Sequence, residues 1–218
     1  MVSDSFNDTA RWMQEEIVQE QSLDPKDRSL ALFAFSLGSG GTLAAKETLE
    51  AALKEGSLSL TEAQEILFQA TPYLGQGKTK AMAEVLLPIL GPIPQKKRSP
   101  KERQVSGTAA QVAIFGEAMA DFYQKSDVNR YLAENCFGDY YTRSGLSLAQ
   151  RELATFCFLV ALGGVDPQVK AHVQGNLNQG HDAAFLRKVV LLGIPLIGYP
   201  HALNGLAAIK EVAEKEGK

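Results

Sequence analysis

The strongest constraint on the fold is an internal repeat. At an offset of 123 residues, Arg28-Ser29-Leu30 falls on Arg151-Glu152-Leu153, and Gly40-Gly41 falls on Gly163-Gly164. Both halves therefore share one plan: Arg-x-Leu opens an apolar helix, a Gly-Gly turn follows, and an amphipathic helix and a segment with Pro and Gly complete the unit. The same offset also aligns residues that break helices, Pro72 with Pro195 and Gly75 with Gly198.

The residues between these landmarks favour helix almost everywhere. Strong helix formers dominate and β-branched residues are sparse. Ser59 followed by Glu62 is typical of a capping box at a helix start. The sequence therefore predicts an all-α fold, with a first repeat at 1–92, a Pro- and charge-rich linker at 93–106 and a second repeat at 107–218. The two copies differ in polar positions, since Glu152 replaces Ser29, so we expect the second repeat to carry the site and the first to support it.

Composition excludes several classes of partner. The 218 residues carry a net charge of −3 with a pI near 5.7, and nucleic-acid binding needs a concentrated positive surface. No apolar run reaches the ~18–20 residues that span a bilayer, and the N-terminus does not resemble a signal peptide. We therefore expect a cytoplasmic protein without a nucleic-acid or membrane partner. Cys136 and Cys157 are then expected to be free thiols.

One short motif resembles the end of a nucleotide-binding loop but lacks two features that such a loop needs. Residues 75–79, Gly-Gln-Gly-Lys-Thr, end like a phosphate-binding loop. Such a loop needs another glycine five residues before Gly77, where this chain has Pro72, and it needs a preceding strand where the pattern is helical. The stretch is predicted to be a turn between two helices of the first repeat.

Residues 137–205 carry a more specific set of motifs. Phe-Gly-Asp is followed by Arg-x-Gly-Leu at 143–146, Arg-Glu-Leu at 151–153, Asn-x-Gly at 178–180 and Gly-Tyr-Pro-x-Ala-Leu-Asn at 198–204. In order and spacing this set resembles the carboxymuconolactone decarboxylase family. The resemblance implies a helical bundle similar to the alkylhydroperoxidase-like proteins and assembly as a homo-oligomer, a dimer, trimer or hexamer.

The resemblance also implies a reaction, the cofactor-free decarboxylation of a small lactone or related carboxylate. Its acidic position falls on Glu152, which shares a helix face with Phe156 and Val160, so the carboxyl is expected to face inward. We predict Glu152 as the proton donor and His172, on the next helix, as its partner or as an electrostatic stabiliser.

Other residues near these two are candidates for substrate binding. Arg143 and Arg151 have guanidinium groups suited to a substrate carboxylate, Tyr141 offers a hydroxyl, and His201 lies at the start of the last helix. Neither a cofactor nor a metal is predicted, because the three histidines lack the HxxxH or HExxH spacing of a zinc site.

Two alternatives stay open at this point. A peroxide-reducing antioxidant protein would need thiol chemistry from Cys136 or Cys157, and the segment before His172 has no CxxC pair. A non-catalytic helical binding or assembly module would use Glu152 and His172 only for capping and packing.

Overall fold

The computed structural model describes residues 4–215, with side chains from residue 8 onward, and within that range every regular element is helical. The predicted all-α fold is confirmed. The α-helices are α1 (Asp4–Gln21), α2 (Pro25–Gly38), α3 (Thr42–Glu55), α4 (Leu60–Leu74), α5 (Gln76–Leu90), α6 (Pro100–Phe115), α7 (Asp127–Tyr131), α8 (Leu148–Leu162), α9 (Asp166–Asn178) and α10 (Ala183–Lys215). Between α6 and α8 lie two 3₁₀ turns, Glu117–Met119 and Phe122–Gln124, and a π-helix, Leu132–Tyr141.

Helix starts follow capping chemistry. The capping box predicted at Ser59 and Glu62 is present at the start of α4, where each side chain binds the other residue's backbone N–H. The same arrangement starts α6 and α8, the latter through Ser147 and Gln150. Each box satisfies two backbone donors that the helix leaves free and contributes on the order of 1 kcal/mol.

Helix boundaries follow the same 123-residue offset as the sequence. It carries α2 onto α8, α3 onto α9 within a residue, and α4 and α5 onto the two parts of α10. Gly75, between α4 and α5, has φ 78° and ψ 149°, and Gly198, inside α10, has φ 78° and ψ 160°. The offset also carries α1 onto α7 and the π-helix, and α1 packs on α10 as the π-helix packs on α4. These correspondences support the predicted repeat.

The connection between the halves is shorter than the sequence predicts. Residues 91–99 contain no helix, and α6 begins at Pro100, so the second half of the predicted linker, residues 100–106 of 93–106, is helical. Helix α6 has no counterpart in the first half, and the correspondence resumes only at Asp127, the start of α7. The capping box at Ser99 explains the early start, because it stabilises a first turn rich in charged residues.

Helix α8 lies at the centre of the core. Every residue from Arg151 to Ala161 is buried, which is expected of a helix packed on all sides. It crosses α2 closely at Gly38, where a Cβ would lie 2.7 Å from the Cβ of Ala161. Because polar groups buried in such a helix need partners, Arg151, Glu152 and Thr155 must bind other buried side chains.

Two glycines bring the π-helix against α6. A Cβ at Gly107 would lie 1.8 Å from the carbonyl oxygen of Ala133, and one at Gly138 would lie 2.5 Å from the carbonyl oxygen of Arg103. No side chain fits at either crossing. The close contact fixes the π-helix, and with it Tyr141 at its C-terminal end.

Helix α10 is the only described helix long and apolar enough, by length and composition, to cross a membrane. The sequence pattern alone predicted no such run. At Gly198 the backbone leaves the helical conformation, so neither part of α10 reaches the ~20 residues that a straight span needs.

The crossing of α6 and the π-helix makes a prediction about stability. Gly107→Ala should lower the free energy of unfolding by about 3 kcal/mol or more, because the methyl group overlaps backbone that cannot rotate away. Gly77→Ala is the matched control, since a Cβ there meets nothing within 4 Å and alanine favours a helix by up to ~1 kcal/mol. Urea unfolding followed by circular dichroism measures both variants. Equal stability of the two would contradict the close contact between α6 and the π-helix at Gly107.

Candidate functional site

The structure brings the two predicted catalytic residues into direct contact. Glu152 is the fifth residue of α8 and His172 lies in the middle of α9. The turn at Gly163 and Gly164 folds α9 back along α8. The Oε2 atom of Glu152 is 2.8 Å from Nδ1 of His172. The Glu152 side chain has no exposed surface, whereas 10% of the His172 side chain is exposed.

Close packing of α9 on α8 depends on a glycine. Gly175 follows His172 by almost one helical turn and faces the same carboxylate, and a Cβ at this position would lie 2.1 Å from Oε2 of Glu152. Any other residue would displace the carboxylate or separate the helices. Asn176 fixes the pair from the backbone side, because its Nδ2 donates to the carbonyl oxygens of both Glu152 and His172.

The second oxygen of Glu152 is bound by Tyr141. The Tyr141 hydroxyl lies 2.8 Å from Oε1 of Glu152 and 2.8 Å from Oγ1 of Thr155. We predicted Tyr141 as a substrate-binding residue, but it is buried and its hydroxyl is fully engaged with protein groups. Its position at the end of a π-helix is typical of functional sites, where these wider turns re-aim side chains.

Helix α4 of the first half completes the site. The Tyr73 hydroxyl donates to the Tyr141 hydroxyl at 3.1 Å, and Nε2 of Gln69 donates to Thr155 at 2.9 Å. Sequence reasoning missed both residues. A signal was present, because Glu65, Gln69 and Tyr73 recur every four residues along a face of α4 that is otherwise apolar.

The two arginines predicted to hold a substrate carboxylate are bound by the protein's own carboxylate. Glu65, itself buried, accepts from Nε and NH2 of Arg143 at 2.7–3.0 Å and from NH2 of Arg151 at 3.0 Å. Arg151 has no exposed surface and also donates to Gln69 at 2.6 Å. The structure therefore gives Arg151 and Arg143 a structural role, joining α4 to α8 and to the segment before α8.

His201, the fourth predicted substrate-binding residue, lies away from the pair. Its Nδ1 bonds to the carbonyl oxygen of Ile197 at 2.9 Å, and its ring packs against Gly163 at the turn between α8 and α9. His181 bonds to Oδ1 of Asn176 at 2.8 Å. Between residues 4 and 215, no group of three or more His, Cys, Asp or Glu side chains is arranged to hold a metal ion.

Burial shapes the acidity of the hydroxyl and thiol groups around Glu152. It raises the pKa of Tyr141 and Tyr73 well above the usual value for tyrosine, and the nearby negative charge of Glu152 adds to both shifts. Burial also raises the pKa of the Cys136 thiol to about 12. Both tyrosines therefore stay protonated and act as hydrogen-bond donors across the physiological pH range.

Only one polar atom of the pair remains open. Both oxygens of Glu152 and Nδ1 of His172 are bonded, while Nε2 of His172 has no hydrogen-bond partner among the described residues. The rings of Tyr73 and Phe115 stand edge-on to the imidazole, with centroids at 5.6 and 5.7 Å. Two surface cavities, of about 430 and 350 Å³, lie on α10 and on α4–α5 and are not lined by the pair.

The fold and the site define a class: a helical protein in which a buried carboxylate contacts an imidazole on the neighbouring helix. Residues 126–211 match the model of the carboxymuconolactone decarboxylase family. The matched range begins one residue before α7, where the correspondence between the halves resumes. A search of curated proteins found no match.

The buried ion pairs make a second prediction. Glu65→Gln should destabilise the protein by about 3–5 kcal/mol, because Arg151 is left buried without a counter-charge. Glu50→Gln is the control, since Glu50 meets only Lys46 in an exposed pair at 3.8 Å and should change stability by less than ~0.5 kcal/mol. Thermal and urea unfolding measure both variants, and a small effect of Glu65→Gln would show that Arg151 does not depend on this carboxylate.

Proposed function

We propose that this protein is a carboxymuconolactone decarboxylase-like enzyme that removes carbon dioxide from a small carboxylated lactone, or carries out related proton transfer, without a cofactor. One observation carries the proposal: Glu152 holds Nδ1 of His172 while Nε2 stays open. The family match supports the reaction class. A cytoplasmic homo-oligomer is the form in which we expect it to work.

The geometry favours a change in the predicted roles. Sequence reasoning made Glu152 the proton donor, but both of its oxygens are bonded and its side chain is buried. His172 is the better candidate for the group that faces the substrate, with Glu152 as its orienting partner. A carboxylate bonded to one ring nitrogen fixes the tautomer and stabilises the positive charge that forms when the other nitrogen takes up a proton.

The proposed reaction balances without an external redox partner. The bond between the carboxylate carbon and the ring breaks, carbon dioxide leaves, and the electron pair delocalises into the unsaturated lactone carbonyl. His172 then transfers the proton on Nε2 to the distal carbon, and the imidazole regains a proton from solvent. Proton transfer by a positioned side chain contributes about 10²–10⁴-fold to such a rate.

Carbon dioxide release from carboxymuconolactone tests this assignment. His172→Ala should lower turnover by at least about 100-fold, and Glu152→Gln should lower it substantially because the amide no longer balances an imidazolium charge. Lys170→Ala is the control on the same helix, since Lys170 is partly exposed and pairs with Glu211. Unchanged turnover in His172→Ala would show that the site is elsewhere.

The peroxide-reducing alternative depends on a reactive thiol. Cys136 and Cys157 are both buried, and burial raises the pKa of Cys136 to about 12 and that of Cys157 well above its usual value. The thiolate is the reactive form, and at pH 8 a thiol with such a pKa is ionised at roughly one part in ten thousand. This environment favours the proton-transfer function over thiol chemistry.

Thiol titration separates these two functions. We expect no rapid reaction of the folded protein with an aromatic disulfide reagent at pH 8 and reaction of both cysteines in denaturant. Rapid modification of one cysteine in the folded protein, together with peroxide reduction that Cys136→Ser abolishes, would favour the antioxidant function instead.

A further inference from the structure

The carboxylate of Glu152 lies at the end of a chain of hydrogen bonds that begins at Arg151 and passes through Gln69, Thr155 and Tyr141. All the distances lie between 2.6 and 2.9 Å. Hydroxyl groups can usually donate in either direction, so the direction of such a chain is open unless one end is fixed.

Arg151 fixes that end, because it contacts both ends of the Gln69 amide. Its guanidinium only donates and lies 2.6 Å from Oε1 of Gln69, while its own carbonyl oxygen only accepts and lies 2.9 Å from Nε2. The reversed amide would place NH₂ against the guanidinium and one carbonyl oxygen against another. Gln69 therefore presents an N–H group to Thr155.

Each following group then has one orientation left. Thr155 accepts from Gln69, so its own proton points to the Tyr141 oxygen. Tyr141 also accepts from Tyr73, so its single proton goes to Oε1 of Glu152. Glu152 receives this donor on Oε1, and its Oε2 lies 2.8 Å from Nδ1 of His172. When Nδ1 carries the proton, both oxygens of Glu152 accept, which matches an ionised carboxylate.

We propose that Gln69 and Arg151 are positioning residues which, through Thr155 and Tyr141, direct the hydrogen-bond chain towards Glu152 and so keep this carboxylate ionised beside His172. Gln69 belongs to the first half of the chain, so that half sets the protonation state of the site as well as supporting it. The proposal rests on the proposed function for its purpose, but the orientation of the chain exists without substrate.

The pH midpoint of the His172 titration, measured without substrate, depends on the orientation of the hydrogen-bond chain. Donors to a carboxylate favour its charged form, so a weaker donor makes the Glu152–His172 pair take up its proton at higher pH. The charged and titratable groups that surround the pair come from every element packed on it: Tyr73, Cys136, Tyr141, His181 and, through Gln69, Arg151. NMR of the imidazole C–H signals measures the midpoint, with His172→Gln identifying the signal.

Thr155→Val and Thr155→Ser are a matched pair. Valine keeps the shape and removes the hydroxyl, so we expect the midpoint to rise by about half a pH unit or more, whereas serine keeps the hydroxyl and should leave it unchanged. Equal midpoints in the two variants would overturn the proposal, whatever the outcome of the turnover assay.

Gln69→Glu tests the direction of the chain. A carboxylate at 69 accepts from Thr155, which turns the threonine proton away from Tyr141, so the midpoint should rise. The added charge alone would also raise it, and the same substitution in the Thr155→Val background separates the two causes. A much smaller rise in that background supports the chain, and an equal rise in both backgrounds contradicts it.

Discussion

The buried charge of Arg151 is the constraint on which the rest of the structure depends. A guanidinium without solvent contact is stable only when a counter-charge and several acceptors surround it. Glu65 supplies the charge, and Gln69 and the carbonyl oxygen of Arg143 supply the acceptors. Because Glu65 and Gln69 are on α4, the two halves of the chain cannot separate without exposing this charge. The ionic contact that joins the halves is therefore also the start of the polar network around Glu152.

The network differs from an ordinary buried ion pair in the number of groups it satisfies. Buried charges are costly, and a pair alone rarely recovers the free energy of desolvation. Here the second charge, Glu152, is bonded to His172 and Tyr141, and neutral groups connect it to Arg151. Each member has partners on both sides, which is the condition under which a polar network stabilises and fixes a core. Two nitrogens of the network are exceptions: Nε of Arg151, which is buried without a hydrogen-bond partner, and Nε2 of His172, the atom we propose for chemistry.

The resemblance to the decarboxylase family singled out Glu152 and His172, and their position relative to each other was predictable because it is local. Helical spacing indicates that Glu152 faces inward, and the short Gly-Gly turn indicates that the next helix returns alongside it. The pairing of Arg143 and Arg151 with Glu65 was not predictable in the same way, because Glu65 is 78 and 86 residues away from them in sequence. An arginine beside a proposed site suggests a substrate ligand until the long-range partner is known. Tyr73 and Gln69 were missed for the same reason.

The offset of 123 residues explains why the described part of the first half has no matching site. In the first half the positions of Glu152, Thr155 and His172 are held by Ser29, Leu32 and Leu49. Helix α10 packs on α2 as α4 packs on α8, so α10 faces the place in the first half that corresponds to the site. There the positions of Glu65, Gln69 and Tyr73 are held by Lys188, Leu192 and Leu196.

Both contributors to the first position lack most of the polar groups of the site, because leucines stand where Thr155, His172, Gln69 and Tyr73 stand in the second. A buried leucine opposite an unpaired glutamine, or a glutamate opposite a leucine, would leave a polar group without a partner. Polar groups on only one of the two helices would therefore destabilise the core. The Ser29 hydroxyl, for example, bonds within its own half to Ser57 at 2.7 Å. A polar core that spans two halves of a chain needs complementary side chains on both, and here those on α8 and α9 meet their partners on α4.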